Sequence, residues 1–420
     1  MVEKPPKYRS RLLDGVLKDA MAGFAAVMLV GPRAVGKTTT AERVVAQVDR
    51  LDHPDTAALY RADPDAALRR ASRPLLIDEW QEVPQILAAV KRWVDHDRTP
   101  GQFVLTGSVR ADLDLSTWAG TGRVVRLSMH PLTEAEVATS SVSTGRPGLL
   151  QCLLDSWLDD VVLPREVPSI DGYVDLALRG SFPELAYWQR TERQRDLWLS
   201  SYIDDLITRD IASIGPPKDP VRLRRYLTVL ALHLAGQPTD ASVLRAADVN
   251  AKTAAAYDRA LTNLFMLDVV PAWTTNRIKR LTKAGKRYLV DTGIAAQASG
   301  VTTRDVIRDP NLVGRYFDAF ATVQLRAETS IIFPQPRLHH LRMESGRREI
   351  DLVIEVGGGQ VFGVEFKAGV APDIHDAAHL VWLRDEMQDL FVGGVVLHSG
   401  SAIYELDDRI AAIPLCAAWA

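Results

Sequence analysis

Cysteine is scarce in this chain of 420 residues, which contains only Cys152 and Cys416, far apart in the sequence. Two such residues exclude a disulfide-rich secreted fold, so we expect both to be small buried hydrophobic side chains in a reducing compartment. Long apolar runs are also lacking, since the longest, residues 20–30, is too short to cross a bilayer. Residues 1–6 have no apolar signal core. We therefore expect a cytoplasmic protein without a membrane partner.

An excess of charge of either sign is absent as well. The chain has 50 Lys and Arg against 53 Asp and Glu, a formal net charge of −3, and 47% hydrophobic residues. This composition is typical of a globular protein, and any nucleic-acid surface on it would have to be a local patch. The length predicts two or three domains.

A glycine-containing loop is the strongest signal in the sequence. Residues 31–38 read Gly-Pro-Arg-Ala-Val-Gly-Lys-Thr, between the apolar run 25–30 and the helix-compatible segment 39–48. A buried strand, such a loop and a helix start form a phosphate-binding P-loop, whereas a plain glycine turn would not require the lysine and the hydroxyl. The sequence thus predicts that a nucleoside triphosphate with Mg²⁺ is bound by Gly31, Pro32, Arg33, Ala34, Val35, Gly36, Lys37, Thr38 and Thr39.

Two carboxylates follow the next strongly apolar strand. Residues 75–77 are Leu-Leu-Ile, and Asp78 and Glu79 come directly after them. A carboxylate at the end of a strand beside the P-loop can hold Mg²⁺, the role that we assign to Asp78 together with the Thr38 hydroxyl. The adjacent Glu79 would act as general base on the attacking water, while Lys37 would contact the phosphates. The alternative is a strand end with two solvated acids.

Small polar groups and an arginine mark two further strands. Residues 102–108 end in Thr106-Gly107-Ser108, and either hydroxyl is a candidate sensor of the γ-phosphate, although a strand followed by a turn explains them equally well. Arg123 opens the last strand of this unit. It is a candidate arginine finger, in cis or from a neighbouring subunit, or a plain surface arginine.

These motifs, together with Pro131-Leu132-Thr133-Glu134 and the turn at residues 179–184, resemble a bacterial and archaeal family of AAA-type ATPases. Its members carry a C-terminal domain long labelled as of unknown function. The resemblance implies ATP as the nucleotide, an AAA+ core whose lid is replaced by helices, and an oligomer as one possible assembly. We expect an α/β fold: an N-terminal parallel sheet with helices on both faces (1–139), a helical linker (140–221), a winged-helix-like domain (222–300) and a nuclease-like domain (301–420).

A basic cluster lies between the two predicted strands of the winged-helix-like domain. Its six members fall within eleven residues that contain no acid: Arg277, Lys279, Arg280, Lys283, Lys286 and Arg287. Such a cluster on a wing can neutralise DNA phosphates. A solvated hairpin or a protein-contact surface is an equally good interpretation.

The C-terminal part carries an acidic pattern on neighbouring strands. Asp351 lies on one strand of a predicted hairpin, and Glu365 and Lys367 lie on one face of the next. This pattern, in the order helix, hairpin, helix and strand, resembles the PD-(D/E)xK nuclease core. Asp351 and Glu365 would then bind Mg²⁺ and Lys367 would position water. Asp318 on the preceding helix stands where such folds often have a Glu.

Three functions are compatible with these signals. The first is an ATPase whose nucleotide state controls the winged-helix-like and nuclease-like domains, which could act on DNA. The second is a nucleotide-gated regulator that binds DNA or a protein partner without hydrolysis. The third is a Mg²⁺-dependent nuclease governed by ATP. A fold does not by itself imply an active site, so the nuclease is the least direct of the three.

Overall fold

The computed structural model describes residues 8–109, 122–138, 147–188, 190–211, 219–274, 284–343 and 347–420. Their α-helices are α1 (Leu13–Gly23), α2 (Lys37–Ala41), α3 (Pro54–Ala62), α4 (Pro64–Arg70), α5 (Ile86–His96), α6 (Glu134–Ala138), α7 (Leu149–Asp155), α8 (Ile170–Arg179), α9 (Pro183–Ala186), α10 (Glu192–Asp205), α11 (Pro220–Leu232), α12 (Asp240–Ala247), α13 (Ala251–Asn263), α14 (Thr292–Ser299), α15 (Thr303–Arg308), α16 (Pro310–Thr329) and α17 (Ala378–Met387). Their strands are β1 (Ala26–Val30), β2 (Gln47–Arg50), β3 (Leu75–Asp78), β4 (Phe103–Gly107), β5 (Val124–Ser128), β6 (Leu267–Val270), β7 (Lys286–Leu289), β8 (Arg337–Met343), β9 (Arg348–Gly357), β10 (Gln360–Lys367), β11 (Phe391–His398), β12 (Tyr404–Asp407) and β13 (Ile410–Pro414).

The N-terminal unit is a five-stranded sheet with strand order β2-β3-β4-β1-β5. All of its strand pairs are parallel. Every residue of β1, β3 and β4 is buried, because helices and loops cover both faces of the sheet. The carboxyl ends of these three strands therefore meet at one edge, and the predicted parallel sheet is confirmed.

One local expectation for this unit needs correction. The helix expected over residues 39–48 ends at Ala41 and continues only as a 3-10 turn over Glu42–Val44, because β2 already begins at Gln47. Pro54 is the first residue of α3, a position that suits a residue without an N–H group.

The middle of the chain, residues 220–289, contains the helices α11, α12 and α13, followed by the hairpin of β6 and β7. Asn250 caps α13 by accepting a hydrogen bond from Thr253 N at 2.9 Å. The strands β6 and β7 pair antiparallel, from Leu267 with Leu289 to Val270 with Lys286. The two strands predicted on either side of the basic cluster therefore form a hairpin. The winged-helix interpretation stays a prediction.

The C-terminal unit is a six-stranded sheet with strand order β12-β13-β11-β10-β9-β8. The pairs β8–β9, β9–β10 and β12–β13 are antiparallel, whereas β11 runs parallel to both β10 and β13. The predicted order of helix, antiparallel strands, helix and strand is observed from α16 to β11. The sequence did not predict β12 and β13, which extend the sheet beyond β11.

The largest hydrophobic core runs without a break from the middle helices into the C-terminal sheet. Both cysteines are buried and unbridged, as expected. Within the described ranges, no helix is both long and apolar enough to traverse a bilayer.

Candidate functional site

The P-loop connects the buried strand β1 to α2, and two of its glycines are required by geometry. A Cβ atom on Gly31 would lie 2.3 Å from the carbonyl oxygen of Met129, so the backbone leaves no room for a side chain. Gly36 has φ +99°, a left-handed conformation that favours glycine. The loop thus follows β1 closely and then turns sharply into α2.

Lys37 is the buried cation of this loop, with only 4% of its surface exposed. Its Nζ donates to the carbonyl oxygens of Gly31 at 2.9 Å and Pro32 at 2.8 Å. Burial lowers the pKa of Lys37 to about 8, although the charges of Glu79 and Asp78 act in the opposite direction. The ammonium is therefore held inside the loop by neutral acceptors.

Asp78 lies at the end of β3 and links three segments of the site. Its Oδ1 accepts a hydrogen bond from Thr38 Oγ1 at 2.8 Å and a second one from Thr106 Oγ1 at the end of β4. The parallel register of β3 and β4 brings Asp78 and Thr106 together. The predicted P-loop hydroxyl and the predicted strand-end carboxylate are thus in direct contact.

Glu79 adopts a left-handed backbone conformation, with φ 55°, at the turn after β3. Its backbone N–H donates to Thr106 Oγ1 at 3.2 Å. Its Oε2 accepts from Gln81 Nε2, and Ser108 Oγ lies 3.4 Å away. Of the two candidate sensors, Thr106 therefore contacts Asp78, whereas Ser108 lies beside the side chains of Glu79 and Gln81. The sequence motifs assign no role to Gln81, which donates to Glu79 Oε2 and lies 3.2 Å from Ser108 Oγ.

The tip of the P-loop is tied to the middle of the chain. Arg33 Nε lies 3.3 Å from Asp210 Oδ1, and Tyr202 Oη donates to the Arg33 carbonyl oxygen at 3.3 Å. Tyr202 belongs to α10, and Asp210 ends the π-helix that continues it, Leu206–Asp210. A sequence pattern gives no signal for these contacts, because the partners are about 170 residues apart.

A cleft opens beside the loop. Its walls include Tyr8 and Arg9 from the N-terminal segment, Thr39 and Thr40 from α2, and Tyr187. Arg9 lies over the Tyr187 ring, 4.7 Å from its centre. A cleft with aromatic walls beside a few polar groups is of the kind that small organic ligands occupy.

Arg123 lies away from this site. It precedes β5, whose first residue pairs with Ala26 at the start of β1, whereas the P-loop follows the end of β1. A five-residue strand separates the two positions by about 16 Å. Arg123 Nε pairs with Asp95 Oδ1 at 2.7 Å. The expectation of a finger in cis is therefore wrong, while a finger from a neighbouring subunit stays a prediction.

The carboxylates of the C-terminal unit meet a lysine from the middle hairpin. Lys286 Nζ lies 2.9 Å from Asp351 Oδ1 and 3.2 Å from Asp318 Oδ2. Burial alone would lower the pKa of Lys286, but the charges of Asp318 and Asp351 outweigh it and hold this pKa well above its usual value. Burial raises the pKa of Asp318 to about 6. Asp318 and Asp351 thus share Lys286 as their partner, a lysine that the sequence assigned to the basic cluster.

The other two residues of the acidic pattern differ in environment. Glu365 is buried, its Oε1 has no hydrogen-bond partner, and His379 Nδ1 lies 3.8 Å from it. Burial and then the charge of Asp351 raise the pKa of Glu365 to about 8, so this side chain is mostly neutral at pH 7. Lys367 lies near the surface, with its Nζ 3.4 Å from Asp376 Oδ1.

The basic cluster is only partly within the described residues. Arg277, Lys279, Arg280 and Lys283 lie outside them. Lys286 and Arg287 do not form an open cationic surface: Lys286 is 2% exposed, and Arg287 pairs with Asp240 at 3.2 Å and with Asp258 at 3.3 Å. Successive residues of β7 point to opposite sides, and each side presents acids to them, so these two residues give the predicted DNA contact no support. DNA binding by the cluster stays a prediction.

Three segments of the chain match sequence models of known families. Residues 24–138 match an AAA domain. Residues 170–305 match a domain of unknown function, DUF8612, and residues 313–418 match another, DUF4143. The AAA match contains the P-loop, Asp78, Glu79 and both hydroxyls at the end of β4.

Similar full-length proteins occur in mycobacteria. The chain is 28% identical over 406 residues to the uncharacterized proteins Mb2031c of Mycobacterium bovis and Rv2008c of Mycobacterium tuberculosis, covering 95% of this chain and 82% of each relative. Among solved structures, the Walker-type ATPase PABY2304 of Pyrococcus abyssi aligns with 70% of this chain and 99% of its own, at 12% identity and a TM-score of 0.41. Residues 24–138 are similar to an AAA domain, and the two segments that follow are similar to domains of unknown function.

Proposed function

We propose that this protein hydrolyses ATP at the P-loop and that its nucleotide state controls the C-terminal unit. The observation that carries the first half is the hydrogen bond of 2.8 Å between Thr38 Oγ1 and Asp78 Oδ1. It places a loop hydroxyl and a strand-end carboxylate together, beside the buried ammonium of Lys37. ATP-hydrolysing P-loop proteins use these three groups at the phosphates.

Thr38 and Asp78 fit a Mg²⁺ ion, because hydroxyl and carboxylate oxygens are the ligands that this ion takes beside phosphate. Bound Mg²⁺ neutralises charge on the β- and γ-phosphate oxygens. Lys37 would exchange its two carbonyl acceptors for phosphate oxygens, which bear full negative charge. Glu79 would accept the proton of the attacking water, with Gln81 and Ser108 orienting its carboxylate.

The second half of the proposal rests on contacts that connect the AAA-type domain to the rest of the chain. Arg33 and Asp210 join the P-loop to the end of α10. Arg179 pairs with Glu134, and Leu132 N donates to the Ser181 carbonyl oxygen at 2.7 Å. A movement of the loop on nucleotide exchange would therefore displace α10 and the turn after α8 through these contacts.

Rates of ATP hydrolysis by the full chain test the catalytic half. We expect Glu79→Gln to lower the turnover rate by about 100- to 10,000-fold, the usual contribution of a general base. Glu82→Gln is the matched control, since this exposed glutamate lies on the same turn. Equal rates for the wild type, Lys37→Ala and Glu79→Gln would contradict the proposal. ATP binding without turnover in the wild type would favour the non-hydrolysing regulator instead.

We do not include DNA in this proposal, because both described members of the basic cluster are paired with carboxylates. Fluorescence anisotropy with duplex DNA, with and without ATP, checks this choice. A signal that disappears on charge reversal at Lys279 and Arg280 would restore the DNA-binding alternative.

A further inference from the structure

The side chain of Lys286 occupies the middle of the acidic cluster of the C-terminal unit. It is only 2% exposed, and its Nζ lies within 3.2 Å of one oxygen of Asp318 and one of Asp351. The two carboxylates come from α16 and β9, so the lysine bridges a helix and a strand that it does not belong to. Its positive charge balances part of the negative charge that these buried groups carry.

The remaining oxygens of both aspartates are also satisfied by donors of this chain. Asp318 Oδ1 accepts from Tyr288 Oη at 3.0 Å and from Thr322 Oγ1 at 3.1 Å. Asp351 Oδ2 accepts from Phe366 N at 3.1 Å. With Lys286 on the other two oxygens, every carboxylate oxygen of the pair has a hydrogen-bond donor.

This arrangement does not fit the Mg²⁺ ion that the acidic pattern predicts. Mg²⁺ needs oxygen ligands at about 2.0–2.1 Å, and an ammonium group at hydrogen-bond distance from the same oxygens opposes its binding, because the two positive charges repel. Glu365, the other predicted ligand, faces the cluster without a hydrogen bond to its Oε1. Over the described part of the chain, no three His, Cys, Asp or Glu side chains converge on a position for a metal ion.

The lysine is held there by the docking of the hairpin. Lys286 pairs with Val270 across the hairpin, and the segment after β6 joins the edge of the C-terminal sheet at β8. Trp273 N donates to the His340 carbonyl oxygen at 2.6 Å, and His340 N donates to the Pro271 carbonyl oxygen at 3.0 Å. Backbone hydrogen bonds to β8 thus hold the hairpin, and with it the strand that carries Lys286, against the C-terminal sheet.

We infer that Lys286 is an internal cation that takes the place of a metal ion between Asp318 and Asp351, so that the docked hairpin closes this cluster to divalent cations. Without the ammonium, the buried carboxylate of Asp318 and that of Asp351, whose side chain is 19% exposed, would lose their counter-charge, and an added divalent cation could supply it. This inference does not depend on ATP hydrolysis, because it concerns groups remote in sequence from the P-loop.

Binding of Mn²⁺ to the full chain without nucleotide, followed by electron paramagnetic resonance, tests the inference. Lys286→Met keeps the length of the side chain and removes its charge, so we expect it to bind Mn²⁺ at least about tenfold more tightly than the wild type, a difference of about 1.4 kcal/mol. The added site should disappear in Lys286→Met/Asp351→Asn. Lys252→Met, at an exposed lysine of α13, is the matched control and should behave as the wild type does.

A second comparison does not require Lys286→Met to fold. The wild type and Asp351→Asn should take up Mn²⁺ equally weakly, because the cluster is closed in the wild type. A wild-type Mn²⁺ site that Asp351→Asn removes would overturn the inference. Equal Mn²⁺ affinities of a folded Lys286→Met chain and the wild type would overturn it as well.

Discussion

The P-loop site and the C-terminal cluster are built from the same residue types, a buried lysine beside carboxylates, yet they differ in what the lysine contacts. Lys37 donates to two backbone carbonyl oxygens, whereas Lys286 donates to two carboxylates. Carbonyl acceptors leave a full positive charge available to a phosphate. Carboxylates neutralise it. A buried lysine is present in both sites, so its presence does not decide what each site binds. The groups to which the lysine donates decide whether an anionic ligand or a metal ion can enter.

The largest effect that sharpens this contrast should come from removing the P-loop ammonium. We expect Lys37→Ala to abolish measurable ATP binding by isothermal titration calorimetry, because the variant loses the ammonium group that lies inside the loop and would contact the phosphates. Glu79→Gln should still bind ATP, since it acts on the water and not on the phosphates. Undiminished ATP binding by Lys37→Ala would contradict the claim that the ammonium of Lys37 is available to a phosphate, whereas that of Lys286 is not.

The C-terminal lysine should matter for stability instead. Lys286→Met leaves buried carboxylates without a counter-charge, and we expect a loss of about 3–5 kcal/mol in the free energy of unfolding, measured by urea denaturation. The triple variant Lys286→Met/Asp318→Asn/Asp351→Asn should lose less, because all three charges are removed together. If the triple variant were less stable than Lys286→Met, the ion pairs would not account for the role of the lysine.

The buried side chain of Glu328 should titrate, because its hydrogen bond comes from a backbone N–H group and not from a lysine. Glu328 accepts a hydrogen bond from Leu150 N at 2.8 Å, and burial raises its pKa from 4.5 to about 7 despite the backbone donors. A raised carboxyl pKa in the folded state favours folding at low pH. Stability should then fall by roughly 3 kcal/mol as the pH rises from about 4.5 to about 7.

Thermal unfolding at pH 5 and pH 8 would show the contribution of Glu328 as the difference in pH dependence between the wild type and Glu328→Gln. The raised pKa values of Asp318 and Glu365, about 6 and about 8, add losses of the same sign to both proteins. The exposed Glu386→Gln is the control. An unaltered pH dependence in Glu328→Gln would show that the glutamate is charged in the folded state, as the paired aspartates are.

The smallest expected effect concerns the contact between Arg33 and Asp210. Arg33 is one-third exposed, so water screens this pair. Asp210→Asn removes a carboxylate near the polyphosphate site, and we expect ATP to bind about two- to fivefold more tightly. Asp204→Asn, an exposed acid of the same helix, should leave the affinity unchanged. A tenfold weaker affinity in Asp210→Asn would mean that Arg33 needs this carboxylate to bind ATP.

Much of the P-loop site could be predicted because its geometry is local or repeats along the sheet. Residues 31–38 are contiguous, and parallel strands place their carboxyl ends at one edge, which brings Asp78 to Thr38. The same rule argues against Arg123 as a finger in cis. Arg123 directly precedes β5, so it lies at the amino ends of the strands, opposite the P-loop. The order of the strands had to be known before that conclusion could be drawn.

The C-terminal cluster could be predicted only in part. Asp318, Asp351 and Glu365 were found from a strand pattern, but Lys286 was assigned to a basic surface because its neighbours in sequence are basic. It lies 32 residues from Asp318 and 65 from Asp351, and their contact depends on how the hairpin docks. No local pattern encodes that docking, so the ammonium in the cluster became visible only in three dimensions.

The stoichiometry of Mn²⁺ bound to the wild-type chain, with and without a non-hydrolysable ATP analogue, tests the contrast between the two sites most directly. An open P-loop and a closed C-terminal cluster predict one tightly bound Mn²⁺ per chain with the analogue and none without it. Two ions with the analogue, or one that remains without it and is lost in Asp351→Asn, would contradict this account.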